Sequence, residues 1–250
     1  MVDLIQAIAI SASIGVIPVI LGMSLPMLIR SHLRNSTWIL SSLAIGIILA
    51  EYVDLTINAS QLGVSVGFAR GGITQALLVG SFAIAIIGLP ALDRIVTKGS
   101  TGVNMWVIYL ISIGLGFHSL AEGIVIGYDL NVSGISLNIG SLTQALSFII
   151  HKFAEGFIIP ILFLSRLSWR DIIIPGSIAS LPILLGTVLG LFGLPGIMSS
   201  VFFAMGAGGS IYMLLRFVPM ILPSKNILYS SLVIFIGFFF VYVAGLIHSI

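Results

Sequence analysis

The chain has 250 residues, of which 58 % are hydrophobic and 7 % charged, with a formal net charge of +2 and a mean hydropathy of +1.23. A soluble domain carries about 25 % charged residues, so this composition suits lipid rather than water as the surrounding medium. The absence of cysteine excludes disulfides, thiolate metal sites and iron–sulfur clusters, and the small basic excess, scattered between apolar runs, is no nucleic-acid-binding surface.

Taken in chain order, the apolar runs cover residues 4–29, 37–57, 71–92, 103–126, 137–164, 172–191, 196–221 and 227–247. Each is long enough to cross a bilayer as a helix, which takes roughly 20 residues. The expected fold is therefore an all-α integral membrane protein, a single polytopic domain over residues 1–250 with eight transmembrane helices. The first run follows no Lys or Arg, the first basic residue being Arg30. It reads as a span, because a secretory signal starts from a basic segment before a short apolar stretch.

Basic residues give the expected sidedness, since cytoplasmic loops are enriched in Lys and Arg. Arg30 and Arg34 follow span 1, Arg94 and Lys98 follow span 3, Arg166 and Arg170 follow span 5, and Arg216 and Lys225 close span 7. All of these fall on one side, against Arg70 alone on the other, with Lys152 inside a span. The expectation is a multi-pass protein of the cell membrane, in contact with lipid, with both termini extracytoplasmic. Arg216 reads as a helix-end residue reaching the cytoplasmic interface.

Ionisable residues in mid-membrane are costly and mark functional sites. Here they concentrate in two hexapeptides 33 residues apart, His118-Ser-Leu-Ala-Glu122-Gly in span 4 and His151-Lys-Phe-Ala-Glu155-Gly in span 5. Histidine and glutamate at i and i+4 share one helix face. Two such helices facing each other offer two imidazoles and two carboxylates, His118, Glu122, His151 and Glu155. That set suits a borderline divalent cation, Zn²⁺ first, with Fe²⁺ and Mn²⁺ also accepted. Alternatives are two hydrogen-bonded pairs that only lock helices together, or a membrane haem protein with His118 and His151 as axial ligands. Two acids beside haem ligands serve no purpose. The H-E-x-x-H order of a zinc protease is absent, and a di-iron oxygenase wants more ligands than these two helices supply, so no enzymatic role is expected.

The paired motifs resemble those of the ZIP (Zrt/Irt-like) metal-ion transporters, whose fourth and fifth spans carry H-N-x-P-E-G and similar hexapeptides. The resemblance covers the whole chain, with weaker echoes at Ala44-Ile-Gly46 and over residues 203–212. It implies a metal site between spans 4 and 5. It also implies uptake of Zn²⁺, Fe²⁺, Mn²⁺ or Cd²⁺ toward the cytoplasm by alternating access, in which spans 1, 4, 5 and 6 move against spans 2, 3, 7 and 8. A homodimer is the common assembly, and no organic cofactor is implied. The chain departs from the family at Ala121 and Ala154, which replace prolines, and in lacking a histidine-rich loop after span 3. Ser119 and Lys152 stand where some members hold a second metal ion, so the Lys152 ammonium is expected to substitute for that ion.

An access route is expected from Glu51 and Asp54 near the outer end of span 2, Asp129 after span 4, and Gln144, seven residues before His151 on one face of span 5. Such groups gather cations electrostatically; the plainer alternative is that they are ordinary interfacial residues.

Overall fold

The computed structural model describes residues 2–33, 37–67, 72–98, 104–135, 139–161, 168–194 and 196–248. Of the basic residues that carry the sidedness reading, Arg34, Arg70, Arg166 and Lys225 lie outside these. Among the described residues the regular structure is helical throughout, with no strand. Eight helical segments are long and apolar enough to span a membrane, as the hydropathy pattern predicts.

Span 1 is built from α1 (Leu4–Ser11), a π turn (Ala12–Val16) and α2 (Ile17–Leu33). Then follow α3 (Thr37–Gly67), α4 (Ile73–Val96), α5 (Met105–Ser133) and α6 (Ile139–Ile161). Span 6 is divided into α7 (Trp169–Ser180) and α8 (Pro182–Leu191), and α9 (Gly196–Ile221) and α10 (Ile227–His248) complete the bundle. The division of span 6 falls at Leu181, because Pro182 has no N–H to donate and starts a new helix. Helix starts follow local chemistry. Asp3 accepts the Gln6 N–H at 2.8 Å while Gln6 reaches back to it, and Ser168 and Asp171 do the same for α7.

Two boundaries differ most from the hydropathy reading. α3 continues to Gly67 and α5 to Ser133, past the ends expected at 57 and 126. Apolarity stops before the helix does. In α3 the polar side chains fold back onto the preceding turn, with Thr56 donating to the Tyr52 carbonyl and Asn58 to that of Asp54. α5 and α6 run unbroken through the buried Ala121 and Ala154, where prolines would have been expected to bend them.

The helices pack as two groups of four spans. In one, α3 lies along α9 and α10, and α4 along α9. In the other, α5 lies along α7 and α8, α2 along α6, and α1 against α8. Glycines make these contacts intimate. A Cβ on Gly123 or Gly127 would strike carbonyls of Ile183 and Thr187 in α8, and one on Gly156 would strike Val19 in α2. The glycine after each motif glutamate therefore serves close backbone approach. Ser11 and Thr187, hydroxyl to hydroxyl at 2.7 Å, add a buried link between spans 1 and 6. The two groups share an extensive interface, with α5 packed on α9 as closely as α4 is and α6 touching α3 and α10.

Arg216 does not reach outward as expected. Its guanidinium pairs with the Asp93 carboxylate of α4 and lies 6.0 Å from the ring centre of the buried Tyr212. Asp93, buried near the end of α4, offers a nearer charge than the interface, so the pair fastens α4 to α9.

Candidate metal centre

The candidate residues meet midway along their helices, where α3, α5 and α6 converge. His118 and Glu122 sit one turn apart on α5, and His151 and Glu155 one turn apart on α6, as their spacing predicts. Tertiary structure adds Glu51 from α3. It lies well inside the helix and is fully buried, not near the outer end of span 2 as expected, because α3 extends beyond the apolar run.

One atom from each of Glu51, His118, His151 and Glu155 falls in a group whose members all lie within 4.8 Å of one another. Glu51 Oε2 is 3.4 Å from His118 Nδ1 and 3.1 Å from His151 Nε2. Glu155 Oε1 is 3.3 Å from His151 Nε2 and 3.7 Å from His118 Nδ1. The imidazoles meet edge to face, with centroids 5.7 Å apart. Glu51 Oε2, His118 Nδ1 and His151 Nε2 are buried without hydrogen-bond partners, and Glu155 Oε1 is paired only with the Lys152 ammonium. Buried polar atoms are normally satisfied. Three that converge unsatisfied, beside a fourth held by an ammonium, form a pocket of lone pairs suited to a cation, with the nitrogen and oxygen donors that Zn²⁺, Fe²⁺ or Mn²⁺ accept.

Glu122 takes a different position from the one expected of a fourth ligand. Its Oε1 faces His118 Nε2 at 3.1 Å, the nitrogen turned away from the convergent group, and its other oxygen pairs with Lys152. A carboxylate there receives the Nε2 proton and leaves the Nδ1 lone pair free, the usual arrangement behind a metal-bound histidine. Glu51 supplies the fourth donor instead. The sequence shows two His–Glu pairs of equal form. Only the packing of α3 reveals that one glutamate orients and another, from a different span, completes the set.

Lys152 is fully buried. Its ammonium contacts Glu122, lies 2.7 and 2.8 Å from the two Glu155 oxygens, and lies 3.3 Å from Ser119 Oγ. It also stands 5.7 Å from the centre of the Phe148 ring. Every donor of this ammonium is thus directed to a protein group, as a buried charge requires. Counted at full ionisation, three carboxylates against one ammonium leave two negative charges, the complement of one divalent cation.

Two cavities border the cluster on the side where α3, α5 and α10 end. One of about 90 Å³ touches Glu122, His151, Phe148, Phe203 and Asp54. A second, of about 190 Å³, touches His151, Asp54, Asn58 and Gln61. Asp54 borders both. Asp129 and Gln144 are exposed and border neither. Asn58 and Gln61 were missed by sequence reading, although Glu51, Asp54, Asn58 and Gln61 repeat at helical spacing along one stripe. Toward the opposite membrane face, the fully buried Ile48, Ile108, Ile111, Leu115 and Phe217 close the bundle.

The chain matches no family model and no curated protein.

Proposed function

We propose that the protein is a ZIP-like transporter that carries divalent transition-metal cations, Zn²⁺ foremost and Fe²⁺, Mn²⁺ and Cd²⁺ as further substrates, into the cytoplasm. The observation that carries this reading is the buried convergence of Glu51, His118, His151 and Glu155 within 4.8 Å in the middle of eight apolar helices. A cation is the ligand that four such donors select. A location in mid-membrane, with cavities on one side and an apolar seal on the other, suits a cargo that enters from one face and leaves by the other.

The order of events follows from the residues. A cation approaching past Asp54 and Asn58 loses its water to the Glu51 and Glu155 carboxylates and to the two imidazoles. Glu122 holds the His118 ring with Nδ1 forward. Lys152 keeps Glu122 and Glu155 apart from a second cation. Relative movement of the two four-span groups then opens the apolar side and closes the cavities. The paired hexapeptides His118–Gly123 and His151–Gly156 support the ZIP assignment. The haem reading is disfavoured by the position of Glu51 Oε2, which lies within 3.4 Å of both imidazoles, where a macrocycle would have to pass.

The test is uptake of ⁶⁵Zn²⁺ into liposomes holding the purified protein, with Fe²⁺, Mn²⁺ and Cd²⁺ as competitors. Saturable uptake that is lost in His151→Ala supports the proposal, and uptake no faster than in empty liposomes rejects it.

A further inference from the structure

Three of the four convergent ligands ride on one helix group and the fourth on the other. His118 belongs to α5, and His151 and Glu155 to α6, both in the group with α7, α8 and span 1. Glu51 belongs to α3, which packs along α9 and α10. Within each group the helices are fastened by backbone-close glycine contacts: Gly123 and Gly127 against α8, Gly156 against α2, and Gly46 and Gly237 across the α3–α10 pair. The boundary between the groups also holds a close glycine contact. Where α5 crosses α9, Gly114 and Gly209 face each other, and a Cβ on Gly209 would come within 2.9 Å of the Gly114 Cα. Beside it, Ala121 of α5 packs with Leu55 of α3 and Phe203 and Ala207 of α9. Polar links across the boundary include the Ser147 hydroxyl donating to the Ala244 carbonyl, and Glu51 facing the two histidines.

We infer that Glu51 is the stationary ligand of the transported ion: it ties the ion to the α3–α4–α9–α10 group and must release it before the ion leaves with α5 and α6. This rests on the transport reading above. Glu51 and the other three ligands then differ in kind. His118, His151 and Glu155 hold the ion before and during its passage. The Glu51 bond exists in the loaded resting state and is broken at the barrier. An interaction made in the ground state and lost in the transition state tightens binding and slows turnover. Removing Glu51 therefore weakens binding and speeds saturated transport, whereas removing a travelling ligand abolishes both.

The experiment compares Zn²⁺ uptake by Glu51→Gln, an isosteric change, with the unaltered protein and with His151→Ala. The expected result for Glu51→Gln is an apparent Michaelis constant raised about tenfold or more, with a saturating rate above that of the unaltered protein. Glu51→Asp, its carboxylate withdrawn by one methylene, moves both constants in the same directions. Hydrogen exchange gives the structural readout. Zn²⁺ slows exchange in α3, α5 and α6 of the unaltered protein, but only in α5 and α6 of Glu51→Gln. An unchanged Michaelis constant, a saturating rate at background, or Zn²⁺-dependent protection of α3 persisting in Glu51→Gln each overturns the inference. Equilibrium dialysis separates the two levels. If the unaltered protein binds no Zn²⁺, the transport reading itself fails. If it binds Zn²⁺ and Glu51→Gln binds it as tightly, only the role of Glu51 fails.

Discussion

Glu51 Oε2 lies 3.1 Å from His151 Nε2, which joins residues with two spans between them in the chain and belonging to different helix groups. The same Glu51 oxygen also faces His118 Nδ1, and the same His151 nitrogen faces Glu155 Oε1, so the two atoms sit at the centre of one cluster. Their meeting point is where a cation fits, and the expected behaviour of the protein follows from it.

The convergent ligands should be ranked by substitution. His118→Ala, His151→Ala and Glu155→Gln are expected to reduce Zn²⁺ uptake to background while the protein still inserts and purifies as a single species. Glu122→Gln keeps a group beside His118 Nε2 and is expected to weaken Zn²⁺ affinity about tenfold to a hundredfold, the usual effect of losing an orienting carboxylate. Isothermal titration measures both. Equal losses at Glu122 and Glu155 would return Glu122 to the ligand set.

Acid should weaken binding. Imidazole must be neutral to donate a lone pair, so protons compete with the metal at His118 and His151. A free imidazole titrates near about pH 6.5, and affinity is expected to be highest above the titration of the site's imidazoles and to fall as pH drops through it. Zn²⁺ titrations from pH 8 to pH 5 check this. Constant affinity across that range would exclude histidine donors.

Lys152 fixes one positive charge between Glu122, Glu155 and Ser119. The unaltered protein is therefore expected to bind a single Zn²⁺ per chain. Lys152→Asp removes the ammonium and adds an acid in the same place, and is expected to bind two. Metal content by mass spectrometry after dialysis decides between the numbers, and two tightly held ions in the unaltered chain would contradict the assignment.

Gly123 and Gly156 carry the close approaches that set the positions of α5 and α6. Replacing either with Val forces a side chain onto a neighbouring carbonyl. Overpacking of this kind costs about 1–3 kcal/mol, and here the obstacle is rigid backbone. Thermal unfolding of the detergent-solubilised protein is expected to begin at a lower temperature in both variants. Gly80, whose surroundings are open, is expected to accept Ala with no such shift.

Much of this was legible in the sequence. Eight apolar runs in a chain with 7 % charged residues require eight membrane-crossing helices, because unpaired backbone groups are excluded from lipid. The i, i+4 spacing likewise determined that His118 and Glu122 share a face, and His151 and Glu155 another, since helical geometry is local. Which of these atoms point at one another is not local. Packing places Glu51, rather than Glu122, in the convergent group: α3 carries Glu51 between the two histidines, while Lys152 pairs with Glu122 and Glu155. The extension of α3 past its apolar run, which places Glu51 deep in the bundle and Asn58 and Gln61 along the cavity, was hidden because hydropathy ends where polarity begins, while a helix ends where its backbone hydrogen bonds do. Arg216 turned inward for the same reason of proximity, since Asp93 is brought beside it only once α4 and α9 are packed. Periodicity determined the helices and the faces they present, and the tertiary structure alone decided which charges, far apart in the chain, became neighbours in a medium where every charge must find one.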